Sequence, residues 1–362
     1  MLDFRDFATM NLHLLVPSLF WPEPALPELY RDLPLSALEN LLAKCSYADG
    51  EPQEVEAWLC RTFGIAKQED WPVAPITLQT DGPEHIKAGS DYWIRADPVH
   101  LRIERNQVVL ADSRVFHISP QEADELTALL NRHFRAAGQE TEFLPLRPDR
   151  WYLRATETQP VKTHLLSEAA NQGINELLPS GINSAFWRSL FNEVQMLLHE
   201  HPLNELREAR GEPAINGVWF WGGGIVPQSL TCSYTHVWSN DVLSGSLALA
   251  CGVNHAQLPP DAGIWQQSHI AGNHLVLLGA LHGQAQYADA YGWRESLREL
   301  ERNWFAPLWA MAKLGKFDQI SLTALGEKTS RSFTAGRADF RKFWRRTKPI
   351  STYAGYDPAS KQ

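Results

Sequence analysis

Asn11-Leu-His-Leu-Leu-Val16, followed at once by Pro17-Ser18, is the stretch on which the fold turns. A short, mostly apolar run stopped by a chain breaker suits a buried strand that ends in a loop. In open α/β sheets the ligand crevice lies at such strand ends, so the residues after Val16 are the first place to look for chemistry. Residues 35–44 and 54–63 then carry apolar side chains at helical spacing, and the opening segment reads as strand, loop and helices.

The same texture returns late in the chain. Residues 274–281 and 319–324 are apolar runs, and residues 293–313 between them have helical spacing, as βαβ units of a parallel sheet require. Gly217-Val-Trp-Phe-Trp221, closed by Gly222-Gly223-Gly224, reads as a further buried strand of the same kind. Between these regions, residues 92–104 and 107–112 look like paired strands. Ser119 before Pro120, Gln121 and Glu122 starts a helix as its N-cap. Strand-like residues 151–155 and a helix over residues 184–198 complete an α+β block. The expectation is an α/β protein with a mostly parallel sheet flanked by helices, made of residues 1–90 and 215–350. Residues 91–214 form an inserted α+β domain and residues 351–362 a C-terminal tail.

Composition narrows the function. With 362 residues, 44% hydrophobic and 21% charged residues, and 14 Trp, the chain has material for two cored units and none of the signature of disorder. A net charge of −9 argues against a surface that tracks nucleic acid throughout. The start, Met1-Leu-Asp-Phe-Arg-Asp-Phe7, has acids where a secretory signal carries basic residues. Pro17 also interrupts the apolar run after it, so neither export nor a membrane partner is expected. Cys45, Cys60, Cys232 and Cys251 show no CxxC spacing and read as reduced thiols of a cytoplasmic protein.

Candidate residues each carry two readings. Ser18 is a conceivable nucleophile, but a lone Ser needs a base or a metal to activate it. Among the 13 His, His199 and His201 lie two apart and share no helix face, and His274 and His282 bracket a strand, so neither pair suits one ion. His100, after Asp97-Pro98, is either a hydrogen-bonding residue of the hairpin or a ligand contact. Gly222, Gly223 and Gly224 either make a tight turn or bring backbone N–H groups to a phosphate, without a GxGxxG or P-loop pattern. Trp219 and Trp221 read as core. Asp241 reads as the N-cap of a helix leading into Ala248-Leu-Ala-Cys-Gly252. The basic run Arg331, Arg337, Arg341, Lys342, Arg345, Arg346 and Lys348 is either a solvated helix or a contact for an anionic partner.

Leu198-His-Glu-His-Pro-Leu-Asn204, Arg207, Gly211, Ala214-Ile-Asn216 and Val218-Trp-Phe-Trp-Gly222 resemble the L-x-x-H-P-V-N, R, G, A-N-x-I, G-x-G pattern of archaeal-type cofactor-independent phosphoglycerate mutases. Val242 to Gly252 and Ser119 to Leu126 are similar to further helices of that family. Trp93-Ile-Arg-Ala-Asp-Pro-Val-His-Leu101 and residues 218–224 resemble the bacterial RpfE-type regulatory proteins, a group related to those mutases. The resemblance implies an alkaline-phosphatase-like fold, with Arg207, Asn216 and Gly222 to Gly224 as ligand-binding candidates. It also implies a two-metal site with an Asp after the first strand, an Asp-x-x-x-His motif and an Asp-His pair. This chain departs from each: Pro17-Ser18, Leu281-His-Gly-Gln-Ala-Gln286 and Leu325-Gly326 stand there, and His282 alone has a conceivable counterpart.

The expectation is therefore a mutase-like pseudoenzyme without cofactor that binds a partner protein or a phosphorylated small molecule. Two alternatives stand beside it. One is an active phosphomutase or phosphatase using Mn or Zn at a relocated site, with Ser18, Asp97, His100, Asp241 and His282 as catalytic candidates. The other is anion or nucleic-acid binding through the basic C-terminal segment, which the net charge disfavours.

Overall fold

The structure, a computed structural model, describes residues 10–22, 27–155, 160–268 and 270–355. The acid-bearing start of the chain and the last seven residues of the expected tail lie outside the described residues. In chain order the strands are β1 (Met10–Leu15), β2 (Ser46–Gly50), β3 (Tyr92–Glu104), β4 (Gln107–Ala111), β5 (Thr141–Arg147) and β6 (Arg150–Ala155). Then follow β7 (Gly217–Gly224), β8 (His236–Trp238), β9 (Asn254–Ala256), β10 (Gly272–Leu277), β11 (Gln319–Ala324) and β12 (Ser330–Gly336).

The chain divides into two compact units, residues 1–55 with 232–362, and residues 56–231. The first is a mixed α/β unit whose sheet runs β2-β12-β11-β1-β10-β8-β9. Its five strands from β11 to β9 are mutually parallel, and β12 and β2 add an antiparallel edge. β1 is central, with Leu14 and Leu15 fully buried and Leu12, Leu14 and Val16 set in the hydrophobic core of this unit at every second position. The helix Ser36–Lys44 buries Leu38, Leu41 and Leu42 against this core, each worth about 2 kcal/mol on the usual area scale. Leu35, at its N-cap, has no side chain able to cap it. The carboxylate of Glu301 does so from afar, accepting the N–H groups of Ala37 and Leu38 at 2.6 and 3.0 Å.

The second unit is built on antiparallel strands: β3 pairs with β4, β6 and β7, and β5 with β6. The helix Pro120–Ala136 starts at Ser119 with a full capping box, Ser119 Oγ accepting from the Glu122 N–H while Glu122 accepts from the Ser119 N–H. Its Ala123, Leu126, Leu130 and Phe134 face inward at helical spacing.

Two expectations are corrected here. Residues 217–224 are not a strand of the parallel sheet; β7 lies antiparallel to β3 over Trp93 to Val99, inside the second unit. A run buried on both faces has the same apolar text in either kind of sheet, and pairing partners decide which it joins. The division into units accordingly falls after residues 55 and 231, whereas the sequence suggested residues 90 and 214. The basic segment from Arg331 is also not a helix. It opens as β12, whose alternating Phe333 and Ala335 face the core, and continues as a short 3-10 turn at Asp339–Arg341.

Candidate functional site

Three chain segments leave the parallel sheet side by side. The backbone ladder continues past the strand ends, with Val16 N–H donating to Thr323 O, Ser18 N–H to Leu325 O and Leu278 N–H to Leu15 O, all at 2.8 to 2.9 Å. This is where the ligand crevice of an open α/β sheet forms. Ser18 sits there at a φ of 56°, a left-handed backbone that a residue with a Cβ rarely adopts. Its carbonyl is held by the buried Trp293 indole N–H at 2.9 Å, and Trp293 packs edge-on against both Trp21 and Tyr30. The half-buried Ser18 hydroxyl lies 3.3 Å from Nδ1 of His282, itself half-buried in the helix Ala280–Gln286 that follows β10.

A cleft of about 200 Å³ lies past the ends of β1 and β11, lined among others by Phe20, Trp21, Leu325, Glu327, Lys328 and Arg331. Arg331 stands over the Phe20 ring at 5.4 Å and is paired with Asp49. Chemically, the pair offers one hydroxyl and one imidazole, and the cleft adds Lys328, Arg331 and the carboxylate of Glu327. Hard divalent cations require several anionic oxygens, and Pro17, Ser18, Leu325 and Gly326 supply none and the cleft a single carboxylate, Glu327, so these residues do not fit a two-metal centre. Among the described residues no three His, Cys, Asp or Glu side chains converge as metal ligands.

The other catalytic candidates stand elsewhere. Asp97 is buried in β3, accepting from Arg95 Nε and Nη2, the Trp151 N–H and the Trp221 indole N–H at 2.8 to 3.1 Å. Burial pushes its carboxyl up to about 6 against the pull of Arg95 and Trp221. Arg95 in turn lies between the rings of Tyr152 and Trp221. His100 bonds the Ala214 carbonyl through Nδ1 at 2.8 Å. Asp241 caps the helix Val242–Ala250 by accepting from the Ser244 N–H at 2.8 Å, as its sequence position suggested.

The ligand-binding candidates serve mostly as internal partners. Asn216 exchanges two hydrogen bonds with the backbone of Leu101, at 2.7 and 2.9 Å. The wholly buried Arg207 donates to Glu122, the His117 carbonyl and the Pro213 carbonyl at 2.8 to 2.9 Å, and lines a cleft of about 530 Å³ with Phe116, Leu203, Arg210 and Glu212. Gly222, Gly223 and Gly224 are strand residues rather than a loop. A Cβ on Gly223 would sit 2.1 Å from the Tyr92 hydroxyl and one on Gly224 2.6 Å from Pro72, so close packing requires the missing side chains. Gly222 has a φ of 66°, and the anion that its N–H meets is the chain's own Asp70 carboxylate at 3.2 Å.

Sequence reasoning passed over His13. It lies within β1, bonded to the Tyr234 hydroxyl at 2.7 Å and the Thr323 hydroxyl at 2.8 Å, and burial lowers its imidazole to about 4. Two polar residues two apart, Asn11 and His13, in an otherwise apolar strand were the available signal. His236 and His274 stack at 4.9 Å, and His274 is occupied by the Trp238 indole N–H and the Ile270 carbonyl.

A model of the 2,3-bisphosphoglycerate-independent phosphoglycerate mutase family matches residues 86–204, which fall entirely within the second unit. Over this stretch the chain is similar to that family. The 2,3-bisphosphoglycerate-independent phosphoglycerate mutase of Methanosarcina mazei is 27% identical over 143 residues, which is 37% of this chain and 35% of that protein. A probable mutase of the same description from Geobacter sulfurreducens is 29% identical over 148 residues, 40% of this chain and 36% of its own. The chain thus spans about a third of the length of the curated relatives it matches. In structure it is similar to the PH0037 protein of Pyrococcus horikoshii, with a TM-score of 0.52 and 13% identity over 91% of this chain and 88% of that one, a likeness of fold.

Proposed function

We propose that this chain is a phosphoglycerate-mutase-like protein that has lost the two-metal site and works by binding. The ligand is a phosphorylated small molecule or a partner protein, and the role is regulatory, of the RpfE type, in a bacterial cytoplasm. The observation that carries this reading is the donor set at the converging ends of β1, β10 and β11. It offers a hydroxyl, an imidazole and a single carboxylate, Glu327, beside Lys328 and Arg331, where two-metal phosphoryl transfer needs several carboxylates.

Elemental analysis of protein purified without chelator, followed by titration with Mn²⁺ and Zn²⁺ and a mutase assay, tests it. The expected outcome is neither stoichiometric binding of two ions nor metal-stimulated turnover. Two bound ions with mutase turnover would overturn the reading.

The contact between Ser18 and His282 favours a second reading, a phosphatase or phosphotransfer activity at a relocated site. The Ser18 Oγ would form a bond to phosphorus as the ester oxygen leaves, with His282 Nδ1 taking the hydroxyl proton and water later releasing the phosphate. Asp97, His100 and Asp241 supply no group to this step, being held by Arg95, the Ala214 carbonyl and the Ser244 N–H. If hydrolysis of an aryl phosphate is measurable and is lost in both Ser18→Ala and His282→Ala, the second reading replaces the first. Unchanged turnover in both variants removes it.

A further inference from the structure

Arg341-Lys-Phe-Trp-Arg-Arg346 holds two aromatic side chains away from the body of the first unit, Phe343 87% and Trp344 64% exposed. Large apolar groups displayed together in this way call for a partner. The main chain beneath them is fastened to the helix Ser36–Lys44. Lys44 Nζ donates to the carbonyls of Lys342 and Arg345, Arg345 donates back to the Lys44 carbonyl, Thr347 bonds Asn40, and the Ile350 N–H bonds Glu39. The rings are therefore presented by a fixed backbone.

Within four residues of them in sequence are Arg341, Arg346 and Lys348, exposed and without an ion pair among the described residues. This is a cationic rim about an apolar tip on a chain whose net charge is −9. It is complementary to a surface that is anionic outside and apolar just beneath.

We infer that this tip docks on an anionic phospholipid surface, with Phe343 and Trp344 entering the headgroup layer while Arg341, Arg346 and Lys348 meet the lipid phosphates. Trp favours that layer because its ring is apolar and its N–H is not. A surface contact needs no spanning segment, and no helix among the described residues is long and apolar enough to cross a membrane.

The geometry disfavours two other occupants. The rings meet at 83°, so they do not offer parallel faces to successive stacked bases of a nucleic acid. Two side chains burying about 150 to 250 Å² each also fall far short of the roughly 1,600 Å² of a stable protein interface.

Flotation of the full chain with phosphatidylcholine vesicles, with and without phosphatidylserine, tests the inference. Binding is expected with phosphatidylserine only and is expected to fall as salt rises. Each cation near such a surface contributes about a fivefold gain in partitioning, so Arg341→Gln with Arg346→Gln is expected to weaken binding roughly 25-fold. Phe343→Ser with Trp344→Ser is expected to weaken it about tenfold or more. Because all four side chains project from the body, an unchanged far-UV spectrum and melting point are expected for both double variants.

Equal binding to uncharged vesicles, or binding unchanged in the variants, would overturn the inference. So would preferential binding of a single-stranded oligonucleotide, or a dimer in sedimentation that the Phe343 and Trp344 variant abolishes.

Discussion

The two units employ ionisable side chains in opposite ways. In the second, each of three ion pairs has at least one buried member: Arg95 with Asp97, Arg150 with Asp81, and Arg207 with Glu122. In the first, the ends of the parallel strands present Ser18 and His282, a neutral hydroxyl and one imidazole. The match to the mutase family model falls in the unit with the paired charges, over residues 86–204. Of these pairs Arg95 with Asp97 alone lies wholly within the matched stretch, and the strand ends that present Ser18 and His282 lie outside it. The stretch that matches the family model and the strand ends at Ser18 and His282 lie in different units.

The largest expected effect tests whether these pairs act as struts. Arg95→Met leaves Asp97 in the core without its countercharge, and breaking such a pair costs about 3–5 kcal/mol. Urea unfolding is expected to show a transition at much lower denaturant than in the parent chain. A loss below about 1 kcal/mol would mean that the buried pair is no strut, and the contrast between the units would collapse.

His13 sharpens the comparison from the other unit. Its folded pKa of about 4 lies below the ordinary value of 6.5, so between those values the unfolded chain binds the extra proton and stability rises with pH. The full penalty, up to about 3 kcal/mol, is reached below pH 4. His13→Asn removes this contribution, and the difference in unfolding free energy between parent and variant is expected to shrink as the pH falls from 7 to 4. Asp97, with a folded pKa raised to about 6, contributes a slope of opposite sign in both proteins and cancels from that difference. A pH-independent difference would contradict the assignment of His13 as a neutral internal partner of Tyr234 and Thr323.

The smallest effect concerns the helix Pro120–Ala136. Ser119→Ala removes the side-chain half of its capping box and is expected to cost about 1 kcal/mol, read as a modest fall in the melting temperature. Since Glu122 joins that box to Arg207, a larger loss would show that cap and strut act as one network.

Local chemistry was legible wherever the deciding contacts lie within a few residues. The Ser119 cap, the Asp241 cap, β1 and β11 all follow from spacing, side-chain type and the position of Pro and Gly, because a helix start or an apolar run depends on its own neighbours. The strand end after Val16 could likewise be named as the place to look, and its lack of carboxylates is a property of the sequence itself.

What only the tertiary structure decided are the pairings across long chain separations. Ser18 meets His282 through a contact spanning 264 residues. Glu301 caps a helix from 264 residues away, and Asp70 takes up the Gly222 N–H across 152. The assignment of β7 to the antiparallel sheet is of the same kind. An apolar strand carries no mark of its neighbour, since hydrogen-bonding backbone is identical in every sheet, and its place is decided by which complementary surface the rest of the fold brings alongside it.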